Sequence, residues 1–219
     1  MNIPCNATIA NDLDVFGKIS NDLQTQGFSI NPLGIPRDIA DALHFHLTHM
    51  PNEKFNHAGI GREQDFDKDD TIRGDEICWV LGDSIAGQQW LRWCDDLKQH
   101  LNRRLFLGLF SFESHFAHYP PQAFYQRHVD AFHGDKNRVL SVVLYLNKDW
   151  QAQDGGELVL YKNEQDVDGI KVIPELGTLV VFLSEEFPHE VLPATKNRLS
   201  IAGWYRVNGS HEHKVDPPN

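Results

Sequence analysis

Cysteine, basic residues and long apolar runs are scarce in this chain, and each scarcity closes off a class of protein. Its three cysteines, Cys5, Cys78 and Cys94, fall at spacings that make neither a disulfide framework nor a zinc ribbon, and read as thiols in a reducing compartment. With 20 Lys and Arg against 31 Asp and Glu, the formal charge is -11. Such a field does not attract phosphate backbones, and no local basic groove is evident, so nucleic acid is excluded as a partner. No apolar run approaches the ~20 residues that span a bilayer. The opening MNIPCNATIAND lacks the basic segment and apolar stretch of a leader, so the expected setting is cytoplasmic with no membrane, and Asn6-Ala7-Thr8 is a chance sequon.

What is present suits one globular domain over 1–219: 41% hydrophobic and 23% charged residues, in a chain long enough to bury a core without staples. The part up to residue 106 reads as helical support. Leu13, Phe16, Ile19 and Leu23 recur at helical spacing and Gly27 stops the run; a short strand over Phe28 to Ile30 follows. A second helix is expected from near Pro36, burying Ile39, Leu43 and Leu47, and a third after Ser84, burying Trp90, Cys94, Leu97 and Leu101. Between them Gly59 to Asp75 is a polar loop long enough to be functional.

From Leu107 to Val207 the texture changes to short β-branched and aromatic runs. Strands are predicted over Ser114–Tyr119, Arg138–Leu146, Glu157–Tyr161, Lys171–Ile173, Thr178–Leu183 and Arg198–Val207. Pro120-Pro121, Asp154-Gly155-Gly156, Asp168-Gly169 and Pro174 to Gly177 supply the turns between them. Helices first and many short strands afterwards indicate an α+β domain, its sheets closed into a sandwich or jelly-roll barrel with the helices on one side. A polar tail over 208–219 follows.

The chemistry concentrates in His128-Val129-Asp130, with His189 and Arg198 further along. Positions i and i+2 of a strand share a face, so His128 and Asp130 are expected side by side, with His189 joining from a distant strand. Two imidazoles and one carboxylate cover one face of an octahedral metal and leave the other open, the arrangement suited to Fe(II) and oxygen. A closed zinc site would need a fourth ligand, and none is evident.

Several segments together resemble one family. They are Ile72-Arg73-Gly74-Asp75 with Trp79, Tyr125 to Asp130, Tyr145 to Trp150, Gly155-Gly156-Glu157-Leu158, Pro188-His189-Glu190-Val191 and Arg198 to Tyr205. The combination resembles the Fe(II)- and 2-oxoglutarate-dependent oxygenases, and within them the prolyl hydroxylases of the hypoxia-inducible-factor type and their bacterial relatives. The resemblance implies a double-stranded β-helix, cupin-like, with His128, Asp130 and His189 as iron ligands and Arg198 on the distal carboxylate of 2-oxoglutarate. A planar guanidinium suits that role because it meets a carboxylate with two hydrogen bonds. It further implies Tyr145 beside the same carboxylate, Tyr119 as a further active-site tyrosine, and Tyr125 and Trp204 lining the substrate mouth and oxoglutarate pocket. Between Tyr119 and His128 the chain is shorter than the family pattern, with Pro120-Pro121 in place of glycines. Arg73, Asp75 and Arg138 are implied around the substrate, with Asp75 and Arg138 pairing to tie the long loop to the barrel.

The activity so implied hydroxylates C4 of a prolyl residue in a protein, in bacterial relatives elongation factor Tu. It consumes O₂ and 2-oxoglutarate, releases succinate and CO₂, and draws on ascorbate as reductant; the chain is expected to act as a monomer. Two other readings stay open: an oxygenase acting on another residue or a small molecule, and a non-catalytic barrel that senses iron or 2-oxoglutarate. Other motifs carry less. Asp65, Asp67, Asp69 and Glu76 sit at calcium-loop positions, but Asp70 stands where that loop needs glycine. His46 and His49 lack a carboxylate partner, His211-Glu212-His213 falls in the tail, and Arg198 and Arg206 do not reproduce the arginine spacing of nucleic-acid demethylases.

Overall fold

A computed structural model describes residues 6–57, 72–131 and 137–208, with side chains from Asp14 onward. Most of the loop Gly59–Asp75, the acidic run Asp65–Asp70, Cys5, the Leu13 and sequon side chains and His211-Glu212-His213 lie outside the described residues. Helix α1 (Asn6–Gln26) stops at Gly27, whose φ of 79° is cheap only without a Cβ, and the Gly27 N–H donates back to the Leu23 carbonyl at 3.1 Å. Strand β1 (Phe28–Asn31) follows, then α2 (Arg37–Thr48). Two short strands, β2 (Asn56–His57) and β3 (Glu76–Trp79), lead into α3 (Ile85–Leu105), where the Ser84 side chain accepts the Gly87 N–H as an N-cap. Trp90, Cys94, Leu97 and Leu101 of α3 are buried, as their spacing predicts.

Eight strands make the second half: β4 (Leu109–Tyr119), β5 (Tyr125–His128), β6 (Arg138–Tyr145), β7 (Leu158–Leu160), β8 (Ile170–Val172), β9 (Leu179–Leu183), β10 (His189–Val191) and β11 (Arg198–Val207). They form a seven-stranded sheet, β1-β9-β6-β11-β4-β3-β2, facing a four-stranded sheet, β5-β10-β7-β8, the expected double-stranded β-helix. The first half of the chain thus supplies both edges of the large sheet as well as the helices behind it. Among the described residues no helix is long and apolar enough to cross a membrane.

Strand alternation divides the molecule into two cores. Leu140, Val142 and Leu144 of β6, with Ile201 and Tyr205 of β11, pack against Ile19, Leu43, Trp90 and Leu97 of the helical layer. The opposite face of the same strands looks into the space between the sheets, where Tyr119, Tyr145, Leu158, Leu160, Val180 and Phe182 meet. The first core is dry support, and the second encloses the site.

Two strand expectations change. β4 begins at Leu109 rather than Ser114, and β5 ends at His128, so Asp130 lies beyond the strand rather than on it. β2, β3 and β10, of two to four residues each, are not expected from the sequence and are held by pairing with their neighbours, β2 on β3, β3 on β4, and β10 between β5 and β7.

Candidate metal centre and anion pocket

β5 and β10 are paired with His189 opposite His128, which puts two imidazoles on adjacent strands of the small sheet, their centroids 4.3 Å apart. Asp130 returns toward them just past the end of β5. His128 Nε2 lies 3.6 Å from Asp130 Oδ1, and His189 Nε2 lies 3.7 Å from Asp130 Oδ2. The three donor atoms all fall within 4.8 Å of one another, the one such cluster among the described residues.

Both rings are oriented by the backbone. His128 Nδ1 faces the Gln126 carbonyl at 2.8 Å, and His189 Nδ1 faces the Phe187 carbonyl at 3.1 Å. A carbonyl only accepts, so each Nδ1 carries the hydrogen and each Nε2 keeps its lone pair toward the cluster. Burial by itself would raise the Asp130 pKa, but His189, His128 and the Ser141 hydroxyl outweigh it and hold the carboxyl well below the usual carboxylate range. Burial pushes the His189 pKa down to about 4. Two imidazoles and an ionised carboxylate, converging from three positions, fit a divalent metal.

Tyr125 stacks on the His128 ring, centroids 3.7 Å apart, and the Arg73 guanidinium lies 4.4 Å from the centre of the Tyr125 ring. A short antiparallel contact holds this arrangement: Gly74 N–H donates to the Phe124 carbonyl and Gln126 N–H to the Ile72 carbonyl. Segment 72–75 is thereby tied to the strand that carries His128.

Arg198, at the start of β11, is fully buried at 1% exposure. Its Nε donates to the Gly156 carbonyl at 2.8 Å and its Nη1 reaches Ser200 Oγ at 3.4 Å, and no carboxylate among the described residues pairs with it. The rings of Tyr119 and Tyr145 each lie 5.0 Å from the guanidinium carbon. The Tyr145 hydroxyl is buried without a hydrogen-bond partner, and burial pushes its pKa up to about 12, so it remains a proton donor. A buried cation without a counter-charge costs several kcal/mol, and an orphaned hydroxyl adds to that. An anionic ligand reverses both penalties, and 2-oxoglutarate has the carboxylate to do so.

The expected pairing of Asp75 with Arg138 does not form. Asp75 takes the fork of Arg73 through two hydrogen bonds of 2.7 Å, while Arg138 binds Glu113 at 3.1 Å and covers Trp204 at 3.9 Å. Register explains this. Glu76 pairs with His118, which puts Asp75 beside Tyr119 at one end of β4, whereas Glu113 faces Trp204 roughly 20 Å away along that strand, at about 3.3 Å per residue.

The structure also brings in residues the motifs do not include. Ser141, inward on β6, donates to Asp130 Oδ2 at 2.6 Å and lies 2.9 Å from Ser184 Oγ. His115 is buried between Trp79 and Trp204 and its pKa is pushed down to about 4, chiefly by burial. The available signal was polar residues on the inward face of otherwise apolar strands: Ser141 in line with Val143 and Tyr145, and Glu113 and His115 in line with Ala117 and Tyr119.

Residues 114–206, the barrel from β4 to β11, match the 2OG-Fe(II) oxygenase superfamily. The chain belongs to this superfamily, whose members use Fe(II), 2-oxoglutarate and O₂, and within it to the prolyl-hydroxylase type. It is similar to a Pseudomonas putida prolyl-4-hydroxylase of known structure, with 43% identity and a TM-score of 0.78 over 89% of this chain and 100% of that one. A Trichoplax adhaerens prolyl hydroxylase, solved with a peptide fragment of the hypoxia-inducible factor oxygen degradation domain, matches at 30% identity and TM-score 0.78 over 92% and 93% of the two chains. Egl nine homolog 1 of Homo sapiens is 33% identical over 155 residues, 67% of this chain. That match spans 35% of the human protein, so the chain corresponds to about a third of this curated relative.

Proposed function

We propose that the protein is a prolyl 4-hydroxylase that modifies a prolyl residue of a protein substrate and converts 2-oxoglutarate to succinate and CO₂. The observation that carries this reading is the buried, carboxylate-free Arg198 with the orphaned Tyr145 hydroxyl, in the same inter-sheet space as the His128, Asp130 and His189 cluster. A sensor of metal alone has no use for a buried unpaired guanidinium.

His128 Nε2, His189 Nε2 and one oxygen of Asp130 would hold Fe(II), which when bound supplies the activation of O₂ and the oxidative decarboxylation of 2-oxoglutarate. Arg198 grips the distal carboxylate with two charged hydrogen bonds, and Tyr145 donates a third. Tyr119 closes the same pocket from β4. Tyr125 offers an aromatic edge to the substrate mouth, and Trp204 lines the oxoglutarate pocket. Arg138 steadies Trp204 by stacking on it, and Arg73 with Asp75 latches segment 72–75 beside the substrate mouth. The task left to the protein is positioning: one C–H bond is brought close to the oxidant and all others are kept away.

The family resemblance makes elongation factor Tu the first substrate to try. The enzyme is read as a cytoplasmic monomer. Incubation with purified elongation factor Tu, or a whole-cell extract, plus Fe(II), 2-oxoglutarate and O₂ is followed by mass spectrometry. A gain of one oxygen on a specific proline, with stoichiometric succinate, is expected. A hydroxyl found only on non-proline residues, or turnover confined to a small molecule, would overturn the prolyl assignment.

A further inference from the structure

We infer that Ser141 and Ser184 form a hydroxyl relay that aims the Asp130 carboxylate, making them positioning residues for the metal. This rests on the reading of His128, Asp130 and His189 as the metal ligands and deepens it. The three ligands are not equally held. His128 and His189 stand on paired strands, and each ring is fixed by a backbone carbonyl. Asp130 lies past the end of β5, outside the ladder, and its carboxylate must be aimed by something else.

β6 supplies it. Ser141 Oγ lies 2.6 Å from Asp130 Oδ2 and 2.9 Å from Ser184 Oγ, and both serines are fully buried. An ionised carboxylate only accepts, so Ser141 donates its one hydrogen to Asp130. Ser184 must then donate to Ser141, which fixes the direction of the chain. Ser184 is itself anchored, its N–H donating to the Val139 carbonyl of β6 at 3.0 Å. The Arg138 Nη1, also on β6, reaches the Asp130 carbonyl at 3.4 Å. With Oδ2 engaged by Ser141, Oδ1 is the oxygen presented to the metal, and the carboxylate binds through one oxygen.

Co(II) is the probe, because its visible ligand-field absorption reports coordination number while titration gives affinity. Ser141→Ala is expected to weaken Co(II) binding about 10–100-fold, the usual cost of losing a partner of a metal ligand, and to change the spectrum as the freed carboxylate turns. Ser141→Thr keeps the hydroxyl and should restore both, with near-ultraviolet circular dichroism confirming native packing of each variant. Ser184→Ala should fall between, since Ser141 keeps its hydrogen but loses its orientation. Wild-type affinity and spectrum in Ser141→Ala would overturn the relay while leaving the ligand assignment intact. If the wild-type protein binds no Co(II), or binds it equally well as Asp130→Ala, the ligand assignment itself fails.

Discussion

The two ends of the inter-sheet space are built on opposite principles. At the His128 end the three candidate ligands all have partners within the protein: rings on backbone carbonyls, Asp130 on Ser141, and the imidazoles within reach of the carboxylate. At the Arg198 end, among the described residues, the guanidinium meets no carboxylate and the Tyr145 hydroxyl makes no hydrogen bond. The first end is preorganised, so a metal meets ligands already aimed. The second holds an electrostatic deficit that only a ligand relieves, and this ties ligand binding to stability. Both ends lie on the inward face of β6, with Ser141 and Tyr145 roughly 13 Å apart along the strand at about 3.3 Å per residue.

The largest effect is expected at the balanced end. Asp130→Ala removes the carboxylate of the cluster and should lower metal affinity by on the order of 10²–10³-fold, the equivalent of about 3–4 kcal/mol, as read by Co(II) titration. Turnover should fall at least as far, and full activity in this variant would end the ligand assignment. Arg198→Met should raise the KM for 2-oxoglutarate by a comparable factor with Co(II) affinity unchanged. The two ends must differ in stability too. Because Arg198 is an unpaired buried charge, Arg198→Met should leave the ligand-free protein as stable as wild type or more so, by up to about 4 kcal/mol in denaturant unfolding. A strongly destabilised Arg198→Met would mean that the charge is balanced within the protein after all.

The supporting face sharpens the contrast. Leu144 points into the dry core and is fully buried, so Leu144→Ala should cost about 2–5 kcal/mol, whereas Val143→Ala, facing the cavity one residue away, should cost about 1 kcal/mol. Equal losses would show that the cavity face is packed as tightly as the core. A smaller effect depends on pH. His115 is buried neutral, its pKa of about 4 lying below the ordinary 6.5 chiefly through burial. The unfolded chain binds the proton first on acidification, so this contribution is complete above pH ~6.5 and is lost progressively between about 6.5 and 4. Stability should decline over that window by on the order of 1–3 kcal/mol, and His115→Gln should flatten the slope. Titration curves of wild type and variant that superimpose would contradict it.

How legible the molecule was varied with element length. Long periodic segments such as α3, and β6 and β11 with their steady alternation, could be read within a residue or so. The short strands β2 and β10 could not, since unlike β1, β7 and β8 they lie in polar stretches, and β3 is not expected either; β2 pairs with β3, β3 with β4, and β10 with β5 and β7. The site divided in the same way. His128, Asp130 and His189 stood out by donor chemistry and Arg198 by the family resemblance, and the fold brings the first three within 4.8 Å of one another. Ser141 looked like any serine in a strand until the fold set it against Asp130.

By itself the sequence determined the order of helices and strands, the inward and outward faces of the long strands, and the residue types able to hold a metal. These follow from local periodicity and donor chemistry, which need no distant partner, whereas the anion-binding arginine was read from the family resemblance. Only the tertiary structure decided that Asp75 pairs with Arg73 rather than Arg138, that Asp130 leaves its strand and leans on Ser141, and that Arg198 is buried with no carboxylate partner among the described residues. Each of these depends on which side chains from remote segments come within 3–4 Å, and strand register and sheet packing set that distance.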